Sequence, residues 1–481
     1  MKDILAVALD AAVAAGASYA DVRGIESSSE SVSVRGEVVE GLDRAESAGF
    51  GVRVICDGAW GYAATASLSR DEATSAAKEA VEVARASALA TTHPVELVPE
   101  PVHNDSWTSP LEIDPLGVSL EEKVSLLISA AAPMERKAQI RVGRGTLDLM
   151  KQRIQFLSSE GSDIEQVITH TGAGIEAIAV GESEVQQRSY PGSFRGDYVC
   201  GGWEYVLDMD LPGNAERTAE EAIALLSAPE CPSEVTTLVV DGHQMMLQVH
   251  ESCGHATELD RVLGMEASFA GTSFLGTADL GNFRYGSEVV NIVSDATAPR
   301  GLGTFAYDDE GVQAQRAPLV EGGILVGFQT SRETAAAAGG DRSNGTMRAD
   351  GWENFPLIRM TNVNLLPGEG TLDDLLADVS NGIYMATNKS WSIDDKRKNF
   401  QFGCEIAREI KDGRLGRILR NPRYTGITPQ FWGSCDAIAG SEAWKMWGTP
   451  NCGKGQPGQT MRVGHGTAPA RFRNVSVGVS Q

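Results

Sequence analysis

The stretch Asp241–Asp260 reads DGHQMMLQVHESCGHATELD and sets two histidines, His250 and His255, five residues apart with Glu251 beside the first. The apolar run TTLVVD that ends at Asp241 reads as a strand. Asp241 can cap a helix that follows it, and Gln244 three residues on completes the capping box. Met245, Met246, Leu247 and Val249 then supply buried faces. At about 100° per residue, positions four apart on an α-helix differ by about 40°, the geometry used by H-E-x-x-H zinc helices, whereas positions five apart differ by about 140°. A plain helix therefore points His250 and His255 apart. Either a π-bulge removes the offset, or the helix ends near Gly254 and His255 reaches in from a turn. In both cases Gly254 is expected to let the backbone bend. Spacing alone leaves open a metal-binding pair and a buried histidine pair with a surface Glu251.

Working outward, the first half alternates helices with strands. Ile4–Ala15 reads as a helix. SVSVRGEVVEG and FGVRVICDGAWGYAA read as strands, the second folded at Asp57-Gly58, a dipeptide that favours a type I′ turn. Asp71–Ala90 is an alanine-rich helix, and Ser119 with Glu122 caps another that runs to about Lys137. Three strand segments follow (IRVGRGTLDL, IQFLSSEGSDIEQVITH, GIEAIAV), then the helix AERTAEEAIALLSA. SAPECPSEV marks a boundary. Beyond it lie short strands and glycines: GSEVVNIVSD, GTFAYDDEG, PLVEGGILVGFQTS, PLIRMTNVNLLPG, FQFGCEIAREIKDGRL and the tail ARFRNVSVGVS. The expected fold is α+β in two domains. Residues 1–228 form an α+β domain with an antiparallel sheet and flanking helices, and residues 229–481 a mostly β domain that carries the metal-site helix.

A chain of 481 residues exceeds the roughly 250–300 at which one core stops growing, which agrees with two domains. Its net charge of −24 argues against nucleic acid or an anionic membrane as partner. The first segment, MKDILAVALDAAVAAGAS, is interrupted by Asp3 and Asp10 and reads as a helix and not as a signal peptide. The seven cysteines are scattered without a CxxC pair, a pattern that suits a reducing cytoplasm.

HESCGHATELD, with Cys452 in NCGKGQPGQTMRVGHG far downstream, resembles the TldD/PmbA metallopeptidases in their metal-bearing, TldD-like branch. GFGVRV with WGYAAT, SEGSDIEQ with GAGIEA, YDDEGVQAQRAPLVEGGIL and RMTNVNLLPGEG extend the likeness in order along nearly the whole chain. The resemblance implies one divalent ion per chain, zinc by family, held by His250, His255 and Cys452, with Glu251 as general base. Such a site leaves a fourth position for a water of lowered pKa, whose proton Glu251 can take and pass to the leaving amine. The substrates implied are short or unfolded peptides. The assembly implied is a homodimer, or a heterodimer with a relative that lacks the motif.

Other residues carry paired readings. Glu258 and Asp260 match the family motif and could hold an imidazole, or line a solvated turn. Arg359 could meet a peptide carboxylate, or be a surface charge on an edge strand in RMTNVNLLPG open to an added peptide strand. Cys253 is a nucleophile, a fourth ligand or a small buried residue. His465 is a ligand or a loop residue. Asp308, Asp309 and Glu310 bind a cation or form a tight turn capped by Gly311. Two rival functions remain: a cysteine-dependent hydrolase using Cys452 or Cys253, and a non-catalytic structural or regulatory partner with a closed metal site. Chelation and Glu251→Gln separate them from a metallopeptidase.

Overall fold

The computed structural model describes residues 1–478, so the last residues of the expected tail strand, 479–480, lie outside it. The fold is mixed α+β. The N-terminal sheet comprises β1 (Tyr19–Arg35), β2 (Val38–Cys56), β3 (Ala59–Thr65), β4 (Asn104–Thr108), β5 (Ile140–Ser158), β6 (Asp163–Val180), β7 (Val185–Tyr190) and β8 (Asp197–Cys200). Their order is β3-β2-β1-β5-β6-β4, with β7 and β8 also on β6. All pairings are antiparallel except β4 with β6. The β2–β3 turn has Asp57 at φ 53° and Gly58 at φ 78°, the two positive values a type I′ turn requires.

Helices α1 (Lys2–Ala14) and α2 (Arg70–Ala88) cover β1–β3 through small side chains, among them Ala8, Ala12, Ala73, Ala77, Ala80 and Ala84. The approach is close: a Cβ on Gly61 of β3 would stand 2.0 Å from the Ala80 carbonyl. Helices α3 (Leu120–Glu135), α4 (Glu204–Asp208) and α5 (Leu211–Ser227) cover the β5–β6 end. Ser119 caps α3 through the Glu122 amide at 3.2 Å, as expected.

The strand segments expected between Ile140 and Val180 are two long strands instead. MKQR in the middle of β5 reads as a polar break, yet Met150–Arg153 pair with Ser29–Glu26 of β1 and with His170–Val167 of β6. The polar residues sit on a partly solvated face, so the ladder continues where the hydrophobic signal fades.

The C-terminal region opens with β9 (Glu234–Val240), which pairs in parallel with Asn381–Ile393 and antiparallel with Ala470–Val477. Arg423–Ile427 and Asn399–Lys411 extend the order, and Asn381–Ile393 pairs back onto Asn399–Lys411, which closes a small barrel. Its core is aromatic: Phe431 stacks on Phe472 with centroids 4.0 Å apart, and Phe402, Tyr424 and Trp432 complete the packing. Beside the barrel lie a four-stranded sheet that includes Ile292–Asp295 and Val363–Leu365, and a hairpin of Lys445–Lys454 with Gln459–Thr467. Val363–Leu365 is terminal in its sheet, but it is buried, and the Gly464 amide bonds Thr361 beside it. The edge suggested in RMTNVNLLPG is therefore covered.

YDDEG forms a turn and not a strand. The Gly311 amide donates to the Asp308 carbonyl at 3.0 Å with φ 75° at Gly311, while Asp308 Oδ1 accepts from the Glu310 and Val312 amides. Its other carboxylates join the two regions. Arg23 meets Asp309 at 2.8 Å, and Arg53 meets both Asp21 at 2.6 Å and Glu310 at 3.1 Å, all buried. Removing one partner of such a pair strands a buried charge at a cost of about 3–5 kcal/mol.

Candidate metal centre

The barrel strand β9 hands the chain to α6 (Gly242–Val249) through Asp241, whose Oδ1 accepts the Gln244 amide at 2.8 Å. From His250 to Gly254 the helix widens into a π-turn, with the His255 amide donating back to the His250 carbonyl. The extra residue in the turn swings His255 round to His250, and their ring centroids lie 4.9 Å apart. Gly254 has ordinary helical angles, φ −52° and ψ −64°, so conformational freedom is not its role. A Cβ there would stand 2.0 Å from the buried Met360 Sδ, so any larger residue needs that side chain to move.

The hydrogen bonds fix which ring nitrogens are free. His465 Nδ1 lies 2.9 Å from the Val363 carbonyl, which can only accept, so this nitrogen carries the proton. In the neutral ring Nε2 then accepts, and His250 Nδ1, 2.8 Å away, must donate to it. His250 Nε2 keeps its lone pair. His255 Nδ1 likewise donates to Glu258 Oε2 at 2.8 Å, which leaves its Nε2 facing Cys452 Sγ at 3.5 Å.

One donor atom from each of His250, His255 and Cys452 lies within 4.8 Å of the others, all three residues buried. A sulfur at ~2.3 Å and a nitrogen at ~2.0 Å from one tetrahedral ion stand roughly 3.5 Å apart, so the donor set and spacing fit a divalent ion. Burial pulls both histidines below their ordinary value and keeps them neutral, the form that ligates. Burial pushes the Cys452 thiol up, but its polar surroundings, the Arg359 guanidinium among them, outweigh it and hold the thiol below its usual range.

The remaining expected residues fall into place around this trio. Glu258 holds the His255 imidazole, as one reading anticipated, and lies 3.3 Å from Lys454 Nζ. Asp260 touches no imidazole; it takes Lys454 Nζ at 2.7 Å, and both Glu258 and Asp260 are buried, not in a solvated turn. Arg359 is fully buried and not an edge charge: its Nη2 donates to the Cys452 carbonyl, which places it behind the sulfur ligand. Glu251 is held by Arg397, with Nη1 2.5 Å from Oε2. Cys253 is buried, burial pushes its thiol up to about 12, and it stands apart from the group of His250, His255 and Cys452, as a small core residue would. Asp308, Asp309 and Glu310 are engaged by amides and arginines and do not join the centre.

Three contributors had little signal in the sequence. His465 sits on the Gln459–Thr467 strand and not in a loop, and it orients His250. Lys454 lies two residues beyond Cys452, where alternation along the strand turns it to the same face. Arg397 comes from the tight DDKRKN turn, where it adopts φ 62°.

Residues 233–479 match the PmbA/TldA metallopeptidase C-terminal domain, residues 20–88 domain 1 and residues 113–226 the central domain of the same family. A metalloprotease of Methanothermobacter thermautotrophicus is 29% identical over 462 residues, covering 96% of this chain and 95% of the relative. A zinc metalloprotease TldD homologue of Saccharolobus solfataricus is 25% identical, covering 96% and 97%. The solved TldE of Thermococcus kodakarensis superposes with a TM-score of 0.74 over 100% of both chains at 17% identity, a likeness of fold.

Proposed function

Since the chain belongs to the PmbA/TldD metallopeptidase family, we propose that this metalloprotease cleaves short or unfolded peptides at His250, His255 and Cys452, with Glu251 as general base. The observation that carries the reading is the convergence of two Nε2 lone pairs and one sulfur, each fixed from behind by His465, Glu258 or Arg359. The donor set suits zinc, which is also the metal in the name of the Saccharolobus relative; such an ion would polarise the scissile carbonyl and acidify a water.

The protein's own groups do the rest. Glu251 directly follows the ligand His250, and Arg397 holds its Oε2, leaving Oε1 to take a proton from the attacking water. The same carboxyl then returns that proton to the departing amine. Glu258 and His465 hold the imidazoles in the ligating tautomer, and Arg359 favours the thiolate. A thiol mechanism is disfavoured, because Cys452 faces His255 inside the ligand trio and Cys253 is shut away.

We further propose the division at 1–228 and 229–481, a cytoplasmic location, and a homodimer or a heterodimer with a motif-lacking relative. Free cysteines throughout support the location, and among the described residues no helix is long and apolar enough to cross a membrane. The test is hydrolysis of an unfolded polypeptide before chelation, after it, and after zinc return. Activity should vanish and recover; activity that survives chelation while alkylation abolishes it would install the cysteine mechanism.

A further inference from the structure

A second polar site lies between the two regions. A cavity of about 310 Å³ is walled on one side by β5 and β6, through Met150, Ile168 and His170, and on the other by Phe305, Arg348 and Arg462. Its two guanidinium groups have no counter-ion: among the described residues neither Arg348 nor Arg462 forms an ion pair. Arg348 Nη1 donates to the Met360 and Arg462 carbonyls, both at 2.9 Å, and Arg462 Nη1 lies 2.9 Å from Met150 Sδ. Burial pulls Arg348 down to about 10 and lowers Arg462 as well, outweighing the pull of Asp309 on the first and of Asp148 on the second.

The carboxylates along the same walls are already taken. Asp308 accepts from the Glu310, Val312 and Met347 amides, and Asp309 from Arg23 and the Ala349 amide. Asp350 accepts from the Thr460 amide and the Asn354 side chain. Asp148, the negative charge that acts most strongly on Arg462, accepts the Tyr198 hydroxyl and lies within ion-pair reach of Arg195.

His170 supplies the independent observation. It is only 6% exposed, it lines the cavity, and among the described residues neither ring nitrogen makes a regular hydrogen bond. The Leu302 backbone approaches the ring closely enough to favour its charged form, but the contact falls short of a regular hydrogen bond. A buried imidazole is normally satisfied, and one turned toward two uncompensated guanidinium groups is completed by an acceptor that carries negative charge.

We propose that this cavity binds a small oxyanion, a carboxylate or a phosphate, through Arg348, Arg462 and His170. The occupant is the carboxylate of a peptide or a free anion, and the same donors serve either. This site does not depend on the peptidase reading, because binding can be followed on metal-stripped protein.

The test is calorimetric titration of the metal-stripped full-length chain with glutarate and, separately, inorganic phosphate. Wild type should bind at least one of them saturably, near one per chain. Arg462→Met and His170→Asn should each weaken binding at least tenfold while retaining the wild-type circular dichroism spectrum. Should Arg462→Met fail to fold, Arg462→Lys and His170→Asn carry the test. Absence of saturable binding to wild type, or undiminished binding by the variants, would overturn the proposal. A second arm identifies the source with the zinc-loaded enzyme. If the occupant is a substrate carboxylate, free-acid peptides show a KM at least tenfold below their C-terminal amides, and Arg462→Met erases the gap. If it is a free anion, added phosphate alters the rate on acid and amide equally.

Discussion

The metal centre and the cavity between the two regions are both buried, both contain histidine and arginine, and are satisfied in opposite ways. At the centre each ligand imidazole has its Nδ1 engaged, by His465 or by Glu258, so its remaining lone pair points inward. Arg397 and Lys454 there are matched by Glu251, Glu258 and Asp260. In the cavity, among the described residues, His170 makes no regular hydrogen bond, Arg348 and Arg462 form no ion pair, and the nearby carboxylates are engaged elsewhere. The first arrangement is prepared for a cation, the second for an anion. Burial makes both preferences strong, because a polar group inside the protein is costly until its partner arrives.

The comparison can be broken most decisively at Glu251. Glu251→Gln removes the base but none of the ligands, so turnover on an unfolded peptide should fall on the order of 10²- to 10⁴-fold with zinc content unchanged. Turnover near wild type would leave a metal site without the proposed catalysis. Next comes the rear support of the ligands. His465→Leu deprives His250 Nδ1 of its acceptor and should weaken zinc binding on the order of 10- to 100-fold in a chelator competition, whereas His465→Gln, which retains an acceptor, should recover much of it. Equal affinities in all three proteins would reduce His465 to packing.

Gly254→Ala probes the π-turn. Its new methyl meets Met360 Sδ in a filled interior, and overpacking of this kind costs about 1–3 kcal/mol, read as a lower denaturant midpoint. A midpoint equal to wild type would show that Met360 yields freely. The smallest effect sharpens the contrast: Arg462→Met, on the strand paired with that of Cys452, should leave zinc content within error of wild type. A loss of zinc there would mean that the two sites are one.

How much of this was legible follows from where each partner lies in the chain. The Asp241 cap, the apolar face of α6 and the five-residue histidine spacing are local, so the choice between a π-bulge and a terminated helix could be framed from sequence, and the π-turn settled it. Cys452 lies 197 residues from His255 and was reached only through family resemblance. His465, 215 residues from His250, stays open between ligand and loop residue in the sequence, because a histidine on a strand announces neither its face nor its neighbour. Gly254 was read for flexibility, yet its constraint is Met360, a contact made by tertiary packing. The long β5 and β6 strands were fragmented because ladder hydrogen bonds run through polar stretches that hydrophobic alternation does not mark. His170 looked like one more strand residue until the opposing wall supplied two arginines.

The most direct test of the metal centre is elemental analysis of the purified, zinc-reconstituted chain beside Cys452→Ser and a His250→Ala, His255→Ala double variant. About one zinc per chain in wild type, with both variants depleted and all three folded by circular dichroism, is the predicted result. A wild type without zinc after reconstitution, or a Cys452→Ser protein that holds zinc as wild type does, would contradict the assignment of His250, His255 and Cys452 as its ligands.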